Sequence, residues 1–197
     1  MAILDIVQVG DPVLRQTAST LSPTQLASAE IQALVDDMRD TMRKAPGVGL
    51  AAPQIGRSLQ LVVIEDPAEY HKGFTPEHLA ERERDPVPYH VLVNPTLTVV
   101  GDETVEHFEG CLSFAGFSML VRRARAVHVD ALDARGTKLS IDATGWYARI
   151  LQHEIDHLNG VVCCDRMDSR SLTTLPNYTK HWSGTSIAAV RDKLSKL

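Results

Sequence analysis

The chain has 197 residues, of which 44% are hydrophobic and 23% are charged, and its formal net charge is -5 at pH 7. This length suits one compact core, so we predict a single domain over residues 1–197. The acidic balance argues against a direct nucleic-acid function, which normally requires a basic surface. No apolar run approaches the roughly 18 residues of a transmembrane helix, so we predict no membrane-spanning segment.

The cysteine content favours a reducing compartment. The chain has three cysteines, and two of them are adjacent and poorly placed to pair with each other: Cys111, Cys163 and Cys164. A domain of this size does not depend on disulfides for its stability. A free thiol is therefore available as a metal ligand.

The N-terminal half has the pattern of a long helix, a strand and a polar connection. A helix is predicted over residues 23–44, with Ser22 as its N-cap and Pro23 at the first helical position. Residues 59–65 form an apolar run typical of a buried strand. Residues 66–89 are polar and contain several prolines, which predicts a surface excursion with a short helix.

The C-terminal half contains further strands, a second helix and a helical tail. The predicted strands cover residues 89–100, 119–132, 138–142 and 161–167. The second helix covers residues 144–159, with Thr144 as its N-cap, and ends at Gly160. The C-terminal tail, residues 176–197, contains a short amphipathic helix from Ser186. Strands grouped between two principal helices, without regular βαβ alternation, indicate an α+β fold.

The segment QHEIDHLNG on the second helix has the spacing of a metal site. Side chains four residues apart lie on the same helix face, so His153 and His157 can bind one ion. Glu154 then lies beside the ion, where a general base is needed. We therefore predict mixed or antiparallel strands around a central metal-binding helix, with a long N-terminal helix and a C-terminal helical tail.

Two thiols compete for the third ligand position that a catalytic site of this kind requires. Cys163 completes the spacing HExxHxxGxxC, which mimics the metzincin peptidase pattern with cysteine in place of the third histidine. Cys111 lies in the Gly-flanked turn FEGCLSFAG. A small buried apolar role is the more frequent one for a cysteine such as Cys163, but spacing alone leaves both thiols open.

The glycine-rich segment GVGLAAPQIG, residues 47–56, has two interpretations. It formally fits a dinucleotide-binding loop, but it follows a helix end, and Pro53 falls where such a loop would continue as a helix. We favour a turn that lets a peptide backbone approach closely, with Gln54 providing an amide donor.

Three segments in this order, GVGLAAPQIG, EGCLS and QHEIDHLNG, resemble the signature motifs of the peptide deformylases. The resemblance covers most of residues 3–170. It implies a metal-dependent hydrolase that removes the formyl group from the N-terminal formylmethionine of newly made polypeptides and releases formate. The expected partners are therefore N-formylmethionyl nascent peptides.

The resemblance also implies a set of site residues. It favours Cys111 over Cys163 as the third ligand, and it implies one divalent ion, natively Fe²⁺, with Zn²⁺, Ni²⁺ or Co²⁺ as replacements. The implied metal ligands are Cys111, His153 and His157. The implied catalytic groups are Glu154 as general base, with the Gln54 side-chain amide and the Leu112 backbone N–H as donors to the developing oxyanion.

Substrate contacts are predicted on two sides of the ion. By the resemblance, the peptide backbone lies along Val48, Gly49 and Gly110 like an added strand. Helical spacing from His153 makes Trp146 the candidate for the wall of a methionine pocket, and a core aromatic without substrate contact is the alternative. The residues after EGCLS, Phe-Ala-Gly, depart from the small residue and proline that are frequent in the family, so the pocket rim and substrate preference do not follow from the resemblance.

Three other functions fit parts of the same pattern. A zinc-dependent peptidase would use Cys163 as its third ligand, and a binding module would hold a structural metal. Structural zinc sites normally have four protein ligands, which argues against the binding module. A deformylase-like hydrolase could act on another formyl or amide substrate.

The expected location is the bacterial cytoplasm. The excursion over residues 66–89 and the segment GWYAR resemble the organellar branch, but no Arg- and Ser-rich presequence is read before Ile3, so a mature organellar form is the alternative. The tail from Lys180 has four basic residues and one acidic one, which permits a transient ribosome contact. An ordinary solvated helix is the favoured interpretation, and the sequence indicates no oligomeric state.

Overall fold

The computed structural model describes residues 2–196; Met1 and Leu197, which end the predicted domain and tail, lie outside the described residues. The strands are β1 (Gly49–Ala51), β2 (Leu61–Asp66), β3 (Val87–Glu109), β4 (Phe117–Leu132), β5 (Lys138–Thr144) and β6 (Thr173–Thr174). The helices are α1 (Pro23–Leu26), α2 (Ala29–Lys44), α3 (Pro76–Arg82), α4 (Gly145–Leu158), α5 (Leu175–His181) and α6 (Ile187–Ser195).

An antiparallel sheet forms the frame of the molecule, in the order β1-β2-β3-β4-β5, with β6 paired to the start of β4. The predicted α+β class is therefore confirmed. The long strand β3 pairs first with β2 and then with β4, and its ladder with β4 shifts register between Val93 and Thr96. Pro95 lies at that shift, where its missing N–H interrupts the ladder.

The predicted N-terminal helix over residues 23–44 is wrong in its continuity, because α1 and α2 are separate helices. Ser22 caps α1 by accepting a hydrogen bond from the Gln25 N–H, and Ser28 caps α2 by accepting one from the Ile31 N–H. Ser28 has extended backbone angles, which end the first helix and start the second.

Strand β2 separates two apolar cores, because successive side chains of a strand point to opposite faces. Leu61 and Val63 face α2, and Val62 and Ile64 belong to the core that packs on α4. Helix α4 therefore lies against one face of the sheet, with much of its surface buried. This packing explains why a helix with two histidines can be held rigidly inside the protein.

Helix α4 has nearly the predicted bounds, and the segment after it differs from the prediction. Thr144 occupies the N-cap position, but its side chain makes no capping hydrogen bond. Gly160 ends the turn after the helix with a φ of 74°. The strand predicted for residues 161–167 is wrong: Cys163–Asp165 is a 3-10 turn. The Asp165 carboxylate accepts a hydrogen bond from the Val162 N–H, which favours a turn over an extended ladder.

The excursion over residues 66–89 contains a 3-10 turn, Ala68–His71, and helix α3. It is not wholly a surface segment. Its Asp66 and Arg84 side chains form a buried ion pair, and β3 already begins within it, at Val87. The predicted short helix is present as α3.

The C-terminal tail contains the predicted helix α6, capped by Ser186, and also helix α5, which sequence reasoning missed. Val190 and Leu194 of α6 pack against Phe108 and Leu120. Within residues 2–196, none of the helices combines the length and apolar character needed to cross a bilayer.

Candidate active site

Helix α4 and two turns surround a cavity of about 400 Å³. The helix contributes His153 and Glu154, the turn after β3 contributes Cys111 and Leu112, and the turn after β1 contributes Gln54. The antiparallel pairing of β3 with β4 brings the EGCLS segment over the helix. The site is therefore assembled from all three sequence motifs.

Three potential metal ligands lie together beside this cavity, and two of them, Cys111 and His153, line it. One ligand atom from each of Cys111, His153 and His157 lies within 4.8 Å of the other two, the only such group of three or more among residues 2–196. The Cys111 Sγ lies 3.3 Å from His157 Nε2. The predicted ligand set is thus brought together, with a thiolate and two imidazoles as its donors.

The chemistry of these donors fits a divalent cation. Burial, followed by the charge of His153, lowers the pKa of His157 well below its ordinary value, which favours the neutral imidazole that binds metals. The Cys163 thiol, followed by burial, raises the pKa of Cys111, so its thiolate needs a nearby cation. A cation between these side chains would stabilise the Cys111 thiolate and would be bound by the neutral His157 imidazole.

Cys163 lies against Cys111, but it is not part of the three-residue group. Its side chain is 2% exposed and packs in a small core with Leu14, Met119 and Val121. The structure thus gives this thiol the buried packing role that is frequent for cysteine.

A buried ionic network orients His153. Its Nδ1 lies 3.0 Å from Glu109 Oε2, which leaves Nε2 as the ring nitrogen for a ligand. Arg123 donates to both Glu109 oxygens at 2.6 and 2.9 Å and to Asp156 at 2.8 Å, and Arg149 also donates to Glu109. Burial lowers the pKa of His153, but the hydrogen bond and charge of Glu109 outweigh it and raise that pKa to about 9.

The Glu154 carboxyl lies beside the ligand group and is 4% exposed. Its Oε2 is buried without a hydrogen-bond partner, and burial raises its pKa to about 7. A carboxyl group with a pKa near neutrality can both accept and return a proton. Gly49 makes room for it, because a Cβ at that position would lie 2.3 Å from Glu154 Oε1.

Gln54 directs its amide nitrogen toward the same centre. Its Oε1 accepts a hydrogen bond from the Ala51 N–H at 2.9 Å, which fixes the orientation of the amide group. Its Nε2 then lies 3.6 Å from the Cys111 Sγ and 3.3 Å from the Ser113 Oγ. Leu112, the other predicted oxyanion donor, lines the cavity and packs over Gly47.

All four predicted substrate-contact residues line the cavity: Val48, Gly49, Gly110 and Trp146. The Trp146 ring packs among arginines, with the guanidinium carbons of Arg84 and Arg82 at 5.1 and 5.6 Å from its centroid. His107 meets the ring edge to face at 6.0 Å. These contacts hold the indole in one position in the cavity wall.

Sequence reasoning missed two groups of residues at this site. The first is the network of Glu109, Arg123 and Asp156, for which the only signal was the position of Glu109 in the EGCLS motif. The second is the outer wall of the cavity, which includes Phe117 and Leu175. Leu175 had no signal, because it lies far from every motif in the chain.

Comparison with known proteins agrees with these motifs and this geometry. The chain is 43% identical over 176 residues to "Peptide deformylase 1A, chloroplastic" of Solanum lycopersicum, covering 89% of this chain and 64% of that relative. It therefore spans just under two thirds of the length of that plant protein. It is 45% identical over 181 residues to "Peptide deformylase 3" of Streptomyces avermitilis, covering 91% of this chain and 78% of the relative.

A solved structure has the same fold. The Met-Ala-Ser-bound class I type b peptide deformylase of Acinetobacter baumannii matches with a TM-score of 0.74 at 31% identity, covering 84% of this chain and 99% of that one. A sequence model described as polypeptide deformylase matches residues 3–172. With these matches and all three motifs gathered around one cavity, the chain belongs to the polypeptide deformylase family.

Proposed function

We propose that this protein removes the formyl group from the N-terminal formylmethionine of newly made polypeptides and releases formate. One observation carries the proposal: the Cys111, His153 and His157 ligand atoms converge beside the buried Glu154 carboxyl in an open cavity. A hydrolase of an unactivated amide needs an activated water and a proton carrier at one point. Membership of the deformylase family supports the choice of substrate.

We propose that Cys111, His153 and His157 hold one divalent ion, natively Fe²⁺, with Zn²⁺, Ni²⁺ or Co²⁺ as replacements. A soft thiolate with two imidazoles suits these metals better than Mg²⁺ or Ca²⁺. Such an ion supplies Lewis-acid polarisation of the formyl carbonyl and makes water acidic near neutral pH. Glu109 supports the site by orienting the His153 ring.

Glu154 acts as the proton carrier in this proposal. It accepts the proton of the attacking water and returns it to the departing amine, for which its raised pKa of about 7 is suited. The Gln54 amide and the Leu112 backbone N–H donate hydrogen bonds to the oxygen that becomes negative in the tetrahedral intermediate. The orientation of Gln54 by the Ala51 N–H supports this role, because the donor is fixed before the reaction.

The substrate backbone lies between Val48 and Gly49 on one side and Gly110 on the other, and Trp146 forms a wall of the methionine pocket. Backbone contacts of this kind depend little on the side chains of the peptide, which suits an enzyme that acts on many different nascent chains. The solved Acinetobacter baumannii deformylase has Met-Ala-Ser bound, which supports a peptide-binding cavity in a protein of the same fold.

The relatives and the C-terminal tail bear on the location of the protein and on a contact with the ribosome. The relatives include a chloroplast protein and a bacterial one, so the bacterial cytoplasm and an organelle are both proposed locations. A ribosome contact by the tail has little support, because Arg191 already pairs with Glu106 and Asp168, and Lys196 pairs with Asp192.

The test is formate release from formyl-Met-Ala-Ser by protein purified without oxygen, compared with single-residue variants. We expect wild type and Cys163→Ser to be active, and Cys111→Ser to lose both metal and activity. We expect Glu154→Ala to keep its metal and lose turnover by a factor of about a hundred or more. Cys163→Ser is the matched control, because it alters the neighbouring thiol outside the ligand group.

The same variants separate the alternatives. If metal content depends on Cys163 and an internal peptide bond is cut, the peptidase is the correct function. If metal-replete wild type releases no formate, the proposed function is wrong, and another formyl or amide substrate must be sought. If chelation unfolds the protein, the metal is structural.

A further inference from the structure

The outer wall of the cavity carries large apolar side chains that are exposed to solvent. Phe117 is 37% exposed and Leu175 is 47% exposed, and both line the same cavity as His153 and Glu154. Neighbouring Ala115 and Gly116 are also exposed and line it. We call Ala115, Gly116, Phe117 and Leu175 the apolar rim. Because these side chains line the cavity, an apolar part of a bound ligand can cover them and remove their surface from water.

Backbone hydrogen bonds hold the rim in position. Strand β6 pairs with β4, so that Thr174 lies opposite Phe117. The Leu175 N–H donates to the Gly116 carbonyl at 2.9 Å. The Phe117 ring stacks on Phe114, with 5.2 Å between their centroids. The Phe117 ring and the Leu175 backbone are thus held in place before any ligand arrives, which lowers the entropy cost of binding.

The rim lies at the mouth of the cavity, and the proposed methionine pocket lies inside. Ile150 in the inner wall is 4% exposed, in contrast to the rim side chains. A peptide whose methionine enters the inner pocket must leave the cavity through its open side. Gly110, one of the proposed contacts of the peptide backbone, lies beside the apolar rim, because a Cβ at that position would lie 3.6 Å from the Phe117 carbonyl oxygen. A side chain that follows the methionine is therefore within reach of the rim.

We infer that Phe117 and Leu175 bind an apolar side chain at the second or third residue of the formylated peptide, and so set a sequence preference. The inference rests on the proposed function. Leu175 lies beyond residues 3–172, the part matched by the family model, so this contact comes from the C-terminal tail of the chain. It gives helix α5 and strand β6 a role in substrate selection.

The test compares kcat/KM for formyl-Met-Gly-Ser, formyl-Met-Leu-Ser and formyl-Met-Gly-Leu with wild type, Leu175→Ala, Phe117→Ala and Leu172→Ala. Leu172 is the matched control, because it is 40% exposed on the same segment but does not line the cavity. We expect wild type to prefer a leucine peptide over formyl-Met-Gly-Ser. Leu175→Ala and Phe117→Ala should reduce that preference by about threefold to tenfold, mainly through KM. Leu172→Ala should retain it.

A gain of function provides an independent readout. Leu175→Lys should raise the rate with formyl-Met-Asp-Ser relative to formyl-Met-Leu-Ser, because it adds a positive charge to the apolar rim. The inference is overturned if Leu175→Ala keeps the wild-type preference, or if Leu172→Ala loses as much of it. Absence of formate release from every peptide by metal-replete wild type would instead overturn the proposed function, and this inference with it.

Discussion

Gly49 lies directly against the Glu154 carboxyl group, where an added Cβ would fall 2.3 Å from Oε1 and 2.5 Å from Cδ. Both residues are buried, so the carboxyl group has little room to move away. We expect Gly49→Ala to displace Glu154 and to lower kcat for formate release by at least about tenfold, with metal content retained. Formate release and metal analysis on the same sample measure this effect.

Gly73 provides the matched control for that change. A Cβ at Gly73 would meet no atom within 4 Å, and its backbone does not require glycine. Gly73→Ala should therefore have wild-type activity. Equal activity of Gly49→Ala and Gly73→Ala would contradict the close approach to Glu154.

The role of Gln54 can be tested by a variant that loses the amide N–H donor but keeps the oxygen that accepts a hydrogen bond from the Ala51 N–H. Gln54→Glu keeps an oxygen for the Ala51 N–H, but it replaces the amide donor near Cys111 with a second oxygen. We expect kcat to fall about a hundredfold, the usual cost of a lost oxyanion donor, with little change in KM. Steady-state kinetics on metal-replete protein give this result, and an unchanged kcat would exclude Gln54 as an oxyanion donor.

At the scale of elements, the excursion over residues 66–89 contributes to the cavity wall through Arg84. The Arg84 guanidinium donates two hydrogen bonds of 2.8 Å to the Asp66 carboxylate and packs between the Phe74 and Trp146 rings. Asp66 ends strand β2, so the ion pair ties the excursion to the sheet. A segment predicted as surface thus supports the site.

Removing one partner of this pair should be costly, because the other charge remains buried. Asp66 is 0% exposed and Arg84 is 9% exposed. We expect Asp66→Ala to lower the free energy of unfolding by about 3–5 kcal/mol, measured by urea denaturation.

The adjacent residue offers a matched control for the ion pair. Glu65 pairs with Arg43, whose side chain is 49% exposed, so Glu65→Ala should cost about 0–1 kcal/mol. Similar urea midpoints for the two variants would show that burial adds nothing to the pair at Asp66.

The element predictions succeeded where local patterns dominate. Strand β2 and helices α4 and α6 follow from apolar runs and from capping residues near their ends. The break between α1 and α2 was missed because Ser28 continues an acceptable helical pattern, and its capping role depends on the Ile31 N–H that it binds. The turn at Cys163–Asp165 was missed for a similar reason, since a side-chain bond to the backbone replaces the extended ladder.

At the scale of the whole molecule, we propose that the chain unfolds as one domain. Both cores share strand β2, and the C-terminal helices α5 and α6 pack on Phe108 of β3. The chain has two tryptophans, Trp146 beside the site and Trp182 after α5. In Trp182→Phe, the fluorescence of Trp146 and far-UV circular dichroism should follow one urea transition. Two separated transitions would indicate independent units.

The stability of the molecule should depend on pH through His107. This side chain is 5% exposed; burial, followed by the charges of Arg149 and Arg82, lowers its pKa from 6.5 to about 4. Between these two values the unfolded chain binds a proton at this histidine and the folded chain does not. Above pH 6.5 the histidine is neutral in both states, so it does not reduce the free energy of unfolding. As the pH falls from 6.5 toward 4, proton binding by the unfolded chain lowers the free energy of unfolding by up to about 3 kcal/mol.

The variant His107→Phe isolates this contribution. Phenylalanine keeps a ring against Trp146 and has no titrating group, so other titrations remain common to both proteins. We expect the free energy of unfolding of the variant to fall less than that of wild type between pH 7 and pH 4.5, measured by urea denaturation at each pH. An equal fall in both proteins would contradict the burial of a neutral His107.

By itself, the sequence determined the family, the α+β class and the candidate ligand set. The spacing of His153, Glu154 and His157 predicts a metal site because the positions of side chains on a helix follow from their spacing in the chain. Three motifs in the family's order identify the family even without coordinates. The tertiary structure brought Cys111, the thiol that the resemblance favoured, together with the two histidines, and it alone decided how Glu109 and Arg123 orient the site and that Leu175 lines the cavity. These features depend on the pairing of β3 with β4 and of β4 with β6, which joins residues far apart in the chain. Such pairings depend on the packing of the whole molecule, so no local pattern predicts them.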